Sequence, residues 1–387
     1  MYKLLSGVKI LDLTRLLPGG YATQLLGDLG AEVVKVEDPW QGDYMRWMEP
    51  HFPGTGESAL YWGLNRNKKS VALNLKSEKG RQVFLKLVQK YDVVLEGFRP
   101  GVMDKLGLGY EELKAVNPGV IMCSISGYGQ DGPYKFRSGH DINYTATAGS
   151  LGLTGLAGET PIVPALQIAD LGGGGLMAAV GILSAYIARQ NTGEGQYIDV
   201  SMMDGVVSWM AMLFMQQAVG DTSLARGCTW LNGGIICYGV YPTKDDKYMA
   251  LGALEPKFWT EFCQAVERED LISRQFSGTA GDRAEVEGIF RSRTRQEWSE
   301  FFADKDVCCE PVLEMGEVKQ HPQVAARNLF TTLNHPTAGP VQAVANPLKF
   351  GNAGEQTDRV PPGLGEHTRE ILLDLGLTER ELEEIKG

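Results

Sequence analysis

Val8-Lys9-Ile10-Leu11-Asp12-Leu13, then Pro18-Gly19-Gly20, then a helical stretch ended by Gly30, then Ala31-Glu32-Val33-Val34-Lys35-Val36-Glu37: this succession decides the fold. Val8 to Leu13 is the continuous apolar run of a strand buried on both faces. Ala22, Leu25, Leu26 and Leu29 fall at helical spacing on one face, and Gly30 stops the helix. Ala31 to Glu37 is a second buried strand, so the chain opens with a β-α-β unit. The grammar recurs with strands at Val71–Leu75, Asp92–Leu95 and Val120–Ser126 and helices at Glu78–Lys90 and Tyr110–Val116. Such alternation predicts an α/β protein whose large domain is a Rossmann-like, mainly parallel sheet with helices on its faces.

Glu37 ends the second strand where a ribose-binding acid would sit in a dinucleotide fold. The loop before the first helix, however, is Leu17-Pro18-Gly19-Gly20-Tyr21-Ala22, which lacks G-x-G-x-x-G, and Pro18 removes an amide donor. NAD binding is not expected, and no phosphate loop of the G-x-x-x-x-G-K type occurs.

Further on, Asp170 to Arg189 reads as one long helix and Met203 to Val219 as another, with a strand at Gln196–Ser201 between them. Met202, Met203, Met210, Met212 and Met215 make the second helix adaptable, either as a core or interface element or as a surface for varied acyl groups. After Gly220 the pattern changes. Tyr238–Pro242 and Tyr248–Leu254 form an antiparallel hairpin, followed by helices at Lys257–Val266 and Glu285–Arg293 and a capping box at Thr294 and Glu297. The expected domains are 1–200, a linker helix at 201–235, a small α+β domain at 236–330, and 331–387 returning to the large domain.

The formal charge of −11 disfavours nucleic-acid binding, which needs a basic face. No secretory signal pattern and no uncharged apolar run of membrane length stand out, so no membrane association is expected and the cytoplasm is the expected location. Six cysteines without C-x-x-C spacing argue against a metal site or a disulfide framework.

Basic residues gather near strand ends: Arg66, Lys68 and Lys69 before the third strand, Arg99 and Lys105 after the fourth. Ligands of open α/β sheets bind at the carboxyl ends of strands, so these residues suit a phosphorylated small molecule. His140, one of five histidines, starts a helical run in Gly139-His140-Asp141-Ile142-Asn143-Tyr144, and Asp170 precedes Leu171-Gly172-Gly173-Gly174-Gly175. An imidazole and a carboxylate at two helix starts suit proton transfer to and from the two sides of one carbon, with glycines opening backbone N–H groups to a ligand. Both residue types also cap helices, and spacing alone does not separate the roles. Glu255, before Pro256, is held at a strand-to-helix junction.

Taken together, Leu5 to Leu13, Leu26 to Glu37, Asn67-Lys68-Lys69-Ser70, Glu96-Gly97-Phe98-Arg99-Pro100-Gly101 and Gly365-Glu366-His367-Thr368 resemble the family III CoA-transferases, a group that includes the α-methylacyl-CoA racemases. The resemblance spans the chain. It implies an acyl-CoA thioester ligand, no further cofactor, and an interlocked homodimer. It also implies racemisation of 2-methylacyl-CoA through an enolate, with His140 and Asp170 as acid and base and Glu255 supporting the histidine. The alternative is CoA transfer between carboxylic acids through an aspartyl anhydride at Asp170. Leu16, Arg66, Lys69, Asp92, Gly97, Phe98, Arg99, Lys105, Gly139, Asp141 and Tyr144 are the residues it assigns to substrate and CoA. Gly139 to Tyr144 looks like the racemase motif, whereas Gly233-Gly234 matches poorly the glycine-rich loop of some transferases. Where racemases commonly have an arginine for the nucleotide, this chain has Asp38.

Overall fold

The computed structural model describes residues 1–221, 224–354 and 357–385. Strands β1 (Lys9–Asp12), β2 (Glu32–Glu37), β3 (Lys68–Ala72), β4 (Val93–Glu96), β5 (Ile121–Ser126) and β6 (Tyr197–Ser201) form one six-stranded sheet in the order β3-β2-β1-β4-β5-β6. Every pairing is parallel, with Ile10 opposite both Val33 and Val93. Alternate residues feed two cores. Ile10, Val33, Leu95 and Cys123 pack beneath Ala178 and Ile182 on one face. Leu11, Val34, Val94 and Met122 pack beneath Phe84, Leu87 and Leu372 on the other. Burial on both faces is why these strands read as unbroken apolar runs.

The third strand starts at Lys68 rather than at the expected Val71. This moves Arg66, Lys68 and Lys69 to the amino edge of the sheet, and Asp92 lies at the same edge, just before β4.

The helix carrying Asp170 begins as a π-helical segment, Ala169–Leu176, and continues as an α-helix over Met177–Thr192. Its glycines serve packing. A Cβ at Gly173 would lie 2.3 Å from the Met202 carbonyl oxygen, one at Gly175 2.9 Å from that of Pro18, and one at Gly205 2.4 Å from the Gly173 Cα. These glycines let the helices Leu17–Asp28 and Met202–Trp209 close on the Asp170 helix backbone to backbone, rather than opening it to a ligand as the sequence suggested. Contrary to the sequence expectation, Leu171–Ala188 is a run of 18 uncharged residues, and Ala169–Thr192 is by length and composition able to cross a membrane. Its Ala178, Ile182 and Ala185 are nonetheless buried in the sheet's core.

The chain divides into two compact units. One comprises Met1–Ala148, Leu166–Ser208 and the chain from Ala325 onward; the other comprises Gly149–Ala165 and Trp209–Val324. The second unit holds the antiparallel strands β7 (Tyr238–Pro242), β8 (Tyr248–Gly252) and β9 (Cys309–Pro311) over a core of Trp259, Phe262, Phe290 and Trp298. The Thr294–Glu297 capping box is present. The second long helix is broken at Met210 into Met202–Trp209 and Ala211–Ala218. A hairpin that the sequence pattern did not announce, β10 (Phe330–His335) and β11 (Gly339–Val344), belongs to the first unit.

Replacing Gly173 with Ala sets a methyl group against backbone, which cannot step aside. The expected loss is about 1–3 kcal/mol or more, read as a lowered denaturation midpoint. Gly152→Ala, where a Cβ meets nothing within 4 Å, should stay within about 0.5 kcal/mol of the parent.

Candidate active site

The strand order reverses between β1 and β4, and a ligand crevice is expected outside their carboxyl ends. A cavity of about 430 Å³ lies there. Thr14, Arg15, Pro18 and Gly19 follow β1, Gly97 to Pro100 follow β4, and Ser126 and Gly127 close β5; all line it. The remaining wall is drawn from Lys135, Arg137 to His140, Asn143 and Tyr144, with Met202. Arg15, Arg99, Lys135 and Arg137 face this space, and among the described residues no carboxylate lines it. In a chain of net charge −11 this is a built anion site.

The cations are held by rings. Arg137 stacks 3.6 Å from the Tyr134 centroid and Arg15 lies 4.7 Å from that of Tyr44, whose hydroxyl accepts from it at 2.6 Å. Arg99 is exposed and has no ion-pair partner among the described residues. Tyr144 is buried, donates its hydroxyl to the Gly139 carbonyl, and fills the space where a Cβ at Gly127 or Gly139 would stand. That contact fixes the turn presenting His140.

His140 precedes the helix Asp141–Ala148, and its amide donates to Asn143 Oδ1 at 3.0 Å. The next residue links two helices. Asp141 Oδ1 accepts the N–H groups of Ala169 (2.6 Å) and Asp170 (3.0 Å). Asp141 thus caps the π-helical segment from outside it, and Asp170 lies within the first turn rather than at an N-cap. Burial raises the Asp170 carboxyl to about 6, the Asp141 charge adds to the rise, and His140 opposes it. The same neighbourhood, with burial foremost and Asp170 next, pushes Tyr144 up to about 12. His140, Asp141, Tyr144 and Asp170 therefore form one electrostatic group beside the cation-lined cavity.

The family model for CoA-transferase family III matches residues 5–368. The chain belongs to this family. The human succinyl-CoA:glutarate CoA-transferase is 36% identical over 381 residues, covering 96% of this chain and 86% of that protein. The human alpha-methylacyl-CoA racemase is 35% identical over 388 residues, covering 99% and 96%. A CAIB/BAIF family protein from Brucella suis superposes with a TM-score of 0.83 at 30% identity, covering 97% of this chain and 100% of that one. The relatives thus include both racemases and transferases, and the chain is an enzyme of this combined group.

Of the residues expected at the ligand, the cavity gathers Gly97, Phe98, Arg99, Gly139, His140 and Tyr144, with Asp141 and Asp170 beside it. Others go elsewhere. Arg66 is 3% exposed, with Nε 2.9 Å from Asp28 Oδ1 and a further bond to the Val344 carbonyl. Lys69 pairs with Glu370 at 2.8 Å. Asp92 accepts the Lys9 N–H and pairs with Arg189. All three stand at the amino edge of the sheet, away from the cavity, in contacts that tie the fold together. Lys105 is exposed at the end of Val102–Lys105 and outside the cavity wall. Leu16 lies behind the wall, its N–H donated to Asp43. Asp38 accepts the N–H groups of Trp40 and Gln41, capping its own loop. Glu255, in the second unit, is the exposed N-cap of Pro256–Ala265; Gln275 fixes the preceding carbonyls of Ala253 and Leu254. Arg15, Lys135 and Arg137 escaped the sequence reading, although the rule that placed Arg99 applies equally to loops after β1 and β5.

Asp141→Asn keeps an acceptor for both amides but removes the charge, so Asp170 should titrate below about 6 by carboxyl NMR. Asp141→Ala also removes the cap and should cost about 1 kcal/mol of stability.

Proposed function

We propose that the enzyme interconverts the enantiomers of 2-methylacyl-CoA thioesters by 1,1-proton transfer through an enolate. His140 and Asp170 are the acid/base pair of this reading. The observation that carries it is the Asp141 link, which ties the start of the His140 helix to the first turn of the Asp170 helix. A carboxyl raised to about 6 suits a group that must give a proton in one direction and take it in the other. A nucleophile alone would not require a titratable partner beside it. Arg15, Arg99, Lys135 and Arg137 receive the CoA phosphates.

The enolate oxygen needs donors. The amides of Ala169 and Asp170 are taken by Asp141, but the first-turn amides of Asp141 and Ile142 have no acceptor among the described residues. They are the donors in this reading. The protein acts as an interlocked homodimer, with the partner subunit's Glu255 orienting the imidazole, and uses no metal or redox cofactor. The second reading is CoA transfer through an anhydride at Asp170, favoured by the equal similarity to the human succinyl-CoA:glutarate CoA-transferase.

Heavy water separates the two. Racemisation incorporates α-deuterium into a pure enantiomer without an acceptor acid, and His140→Ala should slow it about 10² to 10⁴-fold. CoA exchange that requires an acceptor and survives His140→Ala would instead establish the transferase. In the racemase one proton is shared between Asp170 and His140 in both directions, so kcat/KM for the two enantiomers rises together with pH through about 6 as Asp170 ionises. Both fall again at higher pH, once the shared proton is lost, and they move together because an equilibrium with no net proton change cannot shift with pH. Lys135→Ala and Arg137→Ala should raise KM more than they lower kcat, the effect growing at low salt.

A further inference from the structure

Glu96 ends β4 with its side chain buried, 4% exposed, and no ion pair to it occurs among the described residues. Its Oε2 accepts the Phe98 N–H at 2.6 Å. The carboxyl thereby fastens the Gly97-Phe98-Arg99 turn, one wall of the anion cavity. The Phe98 ring in turn lies 5.7 Å from the Arg15 guanidinium. Glu96 itself faces a second, adjoining cavity of about 560 Å³, and Arg99 and Lys135 border both spaces. Two cations available to phosphates thus also border the cavity that Glu96 faces.

The other charged and titratable groups around Glu96 are Cys123 on β5, Tyr197 and Asp199 on β6, Asp104, and Tyr110, Glu111 and Glu112 at the start of the 110–116 helix. Burial raises the Glu96 carboxyl to about 7, and Asp104 and Asp199 act in the same direction. The Ser124 hydroxyl and the Phe98 amide lower it only in part.

We propose that Glu96 is a proton-linked positioning residue: ionised, it draws Arg99 and Lys135 toward the second cavity, and neutral, it leaves them to the phosphates of CoA. This rests on the reading of the first cavity as an acyl-CoA site. The linkage has a definite sign. Polyanion binding keeps Arg99 and Lys135 in the first cavity and adds negative charge nearby, so the carboxyl holds its proton more tightly in the complex. A proton is taken up on binding, and affinity falls as pH rises through about 7.

The test is calorimetry of free CoA binding to the parent enzyme and Glu96→Gln, from about pH 6.5 to 8.5, in buffers of different ionisation enthalpy. Gln keeps an acceptor for the Phe98 N–H and cannot ionise. The parent should lose about threefold to tenfold more affinity than Glu96→Gln over that range, and its extra proton uptake should vanish in the variant. In turnover the difference should sit in the pH dependence of KM, not of kcat. Parallel pH dependences with CoA bound overturn this role for Glu96 and leave the acyl-CoA reading intact. Failure of the parent to bind CoA at any pH overturns both. Should Glu96→Gln not fold, proton uptake by the parent near pH 8, above the range where a CoA phosphate titrates, decides alone: uptake supports the role and none overturns it.

Discussion

Asp12 and the two lysines over it hold the turn on which the cavity rests. Asp12 is fully buried at the end of β1; it accepts the Thr14 N–H at 2.9 Å and the Thr23 hydroxyl at 2.7 Å, with Lys68 Nζ 3.4 Å away. Lys35, on β2, donates to the Thr14 carbonyl at 2.7 Å and pairs with Asp43 at 2.9 Å. Asp43 accepts the Leu16 N–H. Leu16 sits at φ 62°, ψ −148°, a conformation costing roughly 1–3 kcal/mol that persists only where the surroundings dictate it. Burial alone would raise Asp12, yet Lys35, Lys68 and the threonine hydroxyls hold it below the ordinary carboxylate range. Burial depresses Lys68 to about 8. Removing one member of such a buried set costs on the order of 3–5 kcal/mol. Here the loss would reach the site, because Thr14, Arg15, Pro18 and Gly19 are its wall.

The same cluster explains a misplaced strand. A lysine reads as surface, so Lys68 and Lys69 read as part of the approach to the third strand, suited to a phosphorylated ligand. In the fold Lys68 is 2% exposed within β3, where a carboxylate, a carbonyl and an amide oxygen receive its ammonium group. No local pattern announces a buried lysine, since Asp12 and Gly20, two of its three partners, come from a distant strand and helix. The parallel sheet was legible for the opposite reason: each of its central strands is apolar on both faces and carries its own signal. The hairpin of β10 and β11 carries little. Leu333 is its one buried apolar residue, and the other buried position is His335, stacked on Trp62.

The glycine run after Asp170 was legible as special but not as to purpose. A ligand approaching a backbone and a helix packing on it both require the absence of a Cβ, and the sequence is the same for either. The neighbours decide: Met202, Pro18 and Gly205 occupy the space. Arg99, Gly139, His140 and Tyr144 were legible because they sit in recognisable segments. Lys135 and Arg137 were not, because a loop has no period, and only the strand end preceding it shows which way it faces.

With the Ala169 and Asp170 amides committed to Asp141, the Asp170 helix cannot offer them to an enolate. An α-carbon acid of pK about 20 facing Asp170 at about 6 leaves a gap of about 14 units, or about 19 kcal/mol. On the proposed reading that gap must be narrowed by the Asp141 and Ile142 amides and by the cations that fix the thioester. Asp141 is then central without reacting. Its carboxylate ties the two helices together and keeps Asp170 partly neutral, while its own backbone N–H starts the helix that faces the enolate. A substitution there acts at once on geometry, on the pKa of the acid and on helix stability. Separating those effects requires the Asn variant, which changes charge alone, beside the Ala variant, which changes all but the backbone.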